Sequence, residues 1–124
     1  MPSVQRVDEF IAMVVNEKHI DANNEFYHED GSMQEKFNPP RIGKDHLIAH
    51  ERESHDKFQS MEPFPPKSVL IDGDKVAIQW VFEIIDPLGQ KRRLEEISLQ
   101  TWKADKIIQE QFFYDSAKAW HPVD

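Results

Sequence analysis

The sequence predicts an α+β fold, with helices first and an antiparallel meander after them. Three observations carry this. Val4, Val7, Phe10, Ile11, Val14 and Val15 recur at helical spacing near the start of the chain. From Ser68 onward the apolar period changes to two. The period-two runs are separated by Asp72-Gly73-Asp74 and Asp86-Pro87-Leu88-Gly89-Gln90, whose residue types favour tight turns.

Taken in order, Ser3 is placed to cap the first helix. The β-branched residues of that helix lower its intrinsic propensity, so packing must hold it. A shorter second helix follows, with Asp21 as its cap and Ala22, Phe26 and Tyr27 upon it, and Asp30-Gly31 ends it as a turn. Ser32 to Phe37 reads as a short edge strand. Asn38-Pro39-Pro40-Arg41-Ile42-Gly43 is a rigid connector, since neither proline can donate to a ladder. A third helix spans Lys44 to Phe58, with Leu47, Glu51, Ser54 and Phe58 on one side and His46 and His50 on another. Ser60 to Lys67, with three prolines, reads as an irregular crossing. Strands follow at Val69–Ile71, Val76–Ile85, Leu94–Trp102 and Ile107–Tyr114.

At 124 residues the chain suits one domain, 1–124, able to bury a substantial core. Its net charge of -8 disfavours nucleic-acid and anionic-membrane partners, because phosphates require a positive face. There is no cysteine, which excludes disulfides, thiolate catalysis and cysteine-ligated metals. The first residues lack the apolar core of a signal peptide and no run approaches a membrane span, so a cytoplasmic protein is expected. No phosphate-binding loop, dinucleotide fingerprint or nucleophile elbow occurs.

Strand pairing sorts the faces of the meander. With Ala104-Asp105 as a two-residue turn, Leu99 lies opposite Glu110, Ile97 opposite Phe112 and Glu95 opposite Tyr114. With Pro87–Gln90 as a four-residue loop, Trp80 lies opposite Ile97. One face then collects Ile78, Trp80, Phe82, Ile97, Leu99, Phe112 and Tyr114, with the acids Glu95 and Glu110. Trp102 and Ile107 fall on the reverse. A one-residue bulge would instead turn Glu96, Ser98, Gln100 and Trp102 inward while leaving Glu110, Phe112 and Tyr114 in place. An acid in apolar company is paired, reaches solvent or holds its proton more tightly than usual. Glu110 therefore reads either as a structural partner of an Arg, a Lys or the Tyr27 hydroxyl, or as an acid or base near neutral pH.

The chain resembles the nuclear transport factor two-like superfamily and, within it, the SnoaL-like group related to polyketide cyclases, ketosteroid isomerases and limonene epoxide hydrolases. The residues that carry the likeness are Asn38 to Gly43 leading into the third helix, Val76 to Trp80, and Trp102 to Asp115. The resemblance covers nearly the whole chain. It implies a cone-shaped, curved mixed sheet closed by three helices around a cavity, and often a homodimer packed through the outer sheet face. It transfers little chemistry. The hydrolases' Arg-x-Asp pair falls at Trp80 and Phe82 and their last-strand Asp at Phe112. The isomerases' base falls near Phe37 and Asn38, and their oxyanion-hole acid near Leu99.

The expected function is a cofactor-free isomerase, cyclase or lyase acting on a small hydrophobic cyclic compound. The alternatives are a binding module and a dimerisation domain of the same fold. Glu110 is the candidate acid or base, with Tyr27 and Glu95 assisting. Trp80, Phe82, Ile97, Leu99, Phe112, Tyr114 and Met33 are the candidate ligand contacts. His46 and His50, four apart beside Glu53, lack a third ligand, so no metal site is expected.

Overall fold

The computed structural model describes residues 1–124. Its helices are α1 (Val4–Val15), α2 (His19–Phe26) and α3 (Lys44–Asp56). Its strands are β1 (Tyr27–Glu35), β2 (Arg41–Ile42), β3 (Ser60–Pro63), β4 (Ser68–Asp72), β5 (Lys75–Ile85), β6 (Lys91–Lys103), β7 (Lys106–Phe113) and β8 (His121–Pro122). They form one sheet in the order β2-β1-β7-β6-β5-β3, with β4 also on β5 and β8 on β6. The sheet is mixed, because β1 runs parallel to β7 while the other pairs are antiparallel. No helix is long and apolar enough to cross a membrane.

The helices follow their sequence signals closely but not fully. Ser3 Oγ accepts from Arg6 N at 3.0 Å and caps α1, which buries Val7, Phe10 and Val14. Phe10 is the hub of the aromatic core, edge-on to Phe26, Tyr27, Trp80 and Trp102 at centroid distances of 5.4 to 6.4 Å. Helix α2 begins at His19, so Asp21 stands in its first turn, where a carboxylate still favours the helix N-terminus, and not at its cap. Tyr27 leaves the helix and opens β1.

Strand β1 corrects two expectations. It is an interior strand between β2 and β7, and it runs through Asp30-Gly31 without turning. Its register with β7 shifts between Tyr27 and Ser32, which bulges the strand. Gly31 permits this, since a Cβ there would sit 2.9 Å from the His28 carbonyl oxygen and 3.2 Å from that of Ile107. The expected irregular crossing also contains a strand, β3, paired with the end of β5.

The register of β6 is the main difference from the sequence reading. Asp86 Oδ1 accepts from the backbone N–H groups of Leu88 and Gln90, both at 2.9 Å. The Asp86 N–H in turn reaches the Gln90 carbonyl at 2.9 Å. Asp86 thus joins the loop, Ile85 pairs with Lys91, and Trp80 faces Glu96 instead of Ile97. At the other edge Trp102 pairs with Ile107 but Thr101 with Gln109, so Ile108 is the extra residue of a bulge in β7. Glu110 then faces Gln100, and Phe112 faces Ser98. A shift of one residue exchanges the faces of a strand. Glu95, Ile97 and Leu99 therefore lie on the outer surface, with Ile97 48% and Leu99 38% exposed. Trp102 and Ile107, expected on the reverse face, are buried in the core.

Replacing Gly31 by Ala forces β1 away from β7 and is expected to destabilise the fold by roughly 1–3 kcal/mol, the usual range for overpacking. Urea denaturation of Gly31→Ala against wild type measures it, and an unchanged midpoint would contradict the close approach described.

Candidate functional site

The helices and the concave face of the sheet enclose a cavity of about 340 Å³. Trp80 and Phe82 of β5 form one wall, stacked at 5.5 Å with 23° between their planes. Phe10 and Val14 of α1 and Ala22 and Asn23 of α2 cover it. Glu51, Ser54 and Phe58, which the sequence places on one side of the third helix, reach it from that side. The C-terminal segment closes a further part, with Trp120 packed on Phe58 at 5.7 Å.

Glu110, only 2% exposed, is an acid buried at the base of the cavity lining. Tyr27 donates its hydroxyl proton to Glu110 Oε1. Gln100 Nε2 donates to Glu110 Oε2 at 2.8 Å, and Trp102 Nε1 donates to Gln100 Oε1 at 3.0 Å. Trp80 Nε1 donates to Ser98 Oγ at 3.3 Å on the same face. Four of these side chains therefore form a connected chain, Trp102 to Gln100 to Glu110 to Tyr27. Burial raises the Glu110 pKa, while the hydrogen bonds of Tyr27, Gln100 and Ser98 oppose the rise. Burial and the adjacent Glu110 charge push the Tyr27 phenol well above its ordinary value.

Glu96 has a different environment. Burial, with the negative charges of Glu35, Glu110 and Glu51, raises its pKa to about 8. No hydrogen bond counters this. Its oxygens are not among the enclosed polar atoms without a partner, so they keep access to the cavity. A carboxyl titrating near neutral pH can both give and take a proton there.

The more exposed rim carries Glu35, Arg41, His50 and Tyr114. Arg41 contacts Glu35 at 3.6 Å, while its Nε is enclosed without a partner. Burial and then the Arg41 charge lower the His50 pKa, which leaves a neutral imidazole at pH 7. Burial and then Glu35 raise the Tyr114 phenol.

Among the residues singled out from the sequence, Glu110, Tyr27, Trp80, Phe82, Phe112, Tyr114 and Met33 all line the cavity. Glu95, Ile97 and Leu99 do not. Glu95 pairs with Lys67 at 2.7 Å on the outside. Glu96, Ser98 and Gln100 take the inner face, the arrangement that a single bulge was expected to produce. His46 is exposed and stands apart from the cavity that His50 lines. Glu35, Arg41 and Trp120 had no local signal, because their placement depends on β1–β7 pairing and on the return of the C-terminus.

A curved mixed sheet closed by three helices over such a cavity defines a nuclear transport factor two-like fold. The family described as the SnoaL-like domain matches residues 7–110, and the chain belongs to it. A Mesorhizobium loti structure assigned as a SnoaL-like polyketide cyclase superposes with a TM-score of 0.76 at 19% identity, over 92% of this chain and 100% of the other. TerC, crystallised with polyporic acid, superposes with a TM-score of 0.79 at 14% identity, over 94% of each chain. An M. tuberculosis LEH-like epoxide hydrolase superposes with a TM-score of 0.75 at 13% identity, over 94% of this chain and 84% of the other. At such identities these likenesses establish the fold alone. No curated protein sequence matches the chain.

Glu96 keeps its proton in the folded state up to about pH 8 and releases it from pH 4.5 upward when unfolded. Unfolding in that window therefore releases a proton, so stability falls as pH rises from about 4.5 and levels off above 8. Urea denaturation across this range is expected to show the slope, and Glu96→Gln to flatten it. An unchanged slope would place Glu96 in solvent.

Proposed function

We propose that the protein is a cofactor-free enzyme that transfers a proton within a small hydrophobic cyclic compound, as an isomerase or cyclase does. The observation that carries this is Glu96, a cavity-facing carboxyl beside Trp80 and Phe82 with no countercharge and a pKa of about 8. The aromatic walls and the cavity volume suit a small ring system. Glu96 in its ionised form takes a proton from carbon and, once protonated, returns it to a neighbouring atom. Both forms are available near neutral pH.

Glu110 acts through Tyr27 in this reading. Its two oxygens are already engaged by Tyr27 and Gln100, and it is sealed from solvent. When Glu110 holds a proton, it can donate to the Tyr27 oxygen. The phenolic hydrogen then turns toward the cavity, where it stabilises negative charge on a substrate oxygen. This makes Glu110 a positioning residue and Tyr27 the group that meets the substrate.

The test is hydrogen–deuterium exchange into a panel of cyclic unsaturated ketones in D2O, read by mass spectrometry. Wild type is expected to catalyse exchange, with a rate that rises with pH and levels above about 8. Glu96→Gln is expected to abolish exchange while quenching of Trp80 fluorescence still reports ligand binding. Binding without exchange in the wild type would leave a binding module. A cavity that takes no ligand would leave a structural domain.

The outer sheet face carries Ile97, Leu99 and Phe113, which are 48%, 38% and 36% exposed. We propose that a second copy of the chain covers them, since the family resemblance implies a dimer through this face and their apolar area favours burial. Sedimentation is expected to give a dimer for wild type and a monomer for Leu99→Lys. A monomeric wild type at micromolar concentration would overturn the assignment.

A further inference from the structure

A second cluster of chemical side chains stands where α2 meets α3. His19 opens α2, and Glu51 and His55 are four apart on one face of α3. Glu51 Oε1 lies 3.5 Å from His19 Nδ1 and 3.1 Å from His55 Nε2. One nitrogen from each ring and one carboxylate oxygen all lie within 4.8 Å of one another. We propose that His19, Glu51 and His55 form a binding site for a divalent transition-metal ion such as zinc.

Distance supports this first. Nitrogen and oxygen ligands stand about 2.0–2.2 Å from zinc, so two ligand atoms of one tetrahedral site are about 3.3 Å apart. The two Glu51 contacts fall on either side of that value. The remaining edge, between the two rings, lies within 4.8 Å and closes by a small rotation of His55, whose side chain is 33% exposed.

The chemistry of the three groups supports it next. Two imidazoles and one carboxylate are a ligand set that suits zinc and its neighbours in the first transition series. His19 in particular is poorly served by protein partners. Its Nε2 is enclosed with no hydrogen-bond partner, and its Nδ1 has only the 3.5 Å contact with Glu51. A charged imidazolium there would hold two N–H groups with one distant acceptor. A neutral ring with a lone pair directed at a metal fits the same space. Ring packing fixes its orientation, with His55 at 5.0 Å and Phe82 at 6.3 Å between centroids.

The cluster stands at the edge of the cavity. His19 and Glu51 line the cavity, whereas His55 does not. Three protein ligands leave a fourth coordination position, which water can fill. The site does not rest on the proton-transfer reading, because Glu96 is not one of its ligands.

Cobalt(II) is the probe, since nitrogen and oxygen ligation in a four- or five-coordinate site gives visible absorption bands. Titration into the full chain is expected to develop those bands to one equivalent, with zinc(II) abolishing them by displacement. His55→Gln and Glu51→Gln are each expected to lose the bands with unchanged far-ultraviolet circular dichroism, while Glu96→Gln keeps them. If Glu51→Gln fails to fold, the partly exposed His55→Gln decides the matter alone. Wild type without bands, or bands that survive His55→Gln, would overturn the site and assign any binding to surface histidines.

Discussion

Glu110 is a carboxyl group sealed inside the sheet, and burying it would be costly without partners. Its two oxygens are met by side chains from two different strands, Tyr27 at the start of β1 and Gln100 on β6. Gln100 is in turn fixed by Trp102. Such a network stabilises only if each member is satisfied, so it constrains the strands that carry it. With β6 shifted by one residue, Leu99 would face Glu110 and supply no donor. The observed register is the one in which the buried acid finds both of its hydrogen bonds.

That constraint extends to the cavity. The register that aims Gln100 at Glu110 also aims Glu96 at the space beside Trp80 and Phe82. The two acids lie on the same concave face but have different surroundings. Glu110 is enclosed and hydrogen-bonded, whereas Glu96 meets apolar surface and the charges of other carboxylates. Two titratable groups set apart by environment are the usual basis for a division of labour in acid–base chemistry. In the function we propose, that division assigns the movable proton to Glu96 and orientation to the Tyr27–Glu110 pair. The cavity also has a polar helix side at His19 and Glu51 and a charged rim at Glu35 and Arg41, so its chemistry is not confined to the sheet.

Much of this was legible in the residues themselves. Ser3 with Val7, Phe10 and Val14 specified the first helix and its buried stripe. Alternation along Val76–Ile85 placed Trp80 and Phe82 inward, and the same period placed Glu110 and Phe112 inward on the last strand. The fold class and the family resemblance followed from those patterns. The inner face of Leu94–Trp102 was not legible, because it depends on two single-residue events. One is Asp86, whose carboxylate draws it into the loop. The other is Ile108, the extra residue of a bulge. Each shifts pairing by one residue, and the hydrophobic pattern of β6 is too mixed to reveal the shift.

The sequence by itself therefore determined the first helix and the main run of the third, the strands from Ser68 onward, that Trp80, Phe82, Glu110 and Phe112 face inward, and that an acid would lie among aromatics. Local spacing sets these features, and spacing is visible in one dimension. Tertiary structure decided which neighbouring acid shares the cavity, and that Tyr27 leaves its helix to meet Glu110. It also decided that His19 meets Glu51 and His55. Those outcomes depend on the pairing of β1 with β7, on loop and bulge geometry, and on the packing of α2 against α3. Each brings together residues distant in the chain, and no local periodicity encodes them.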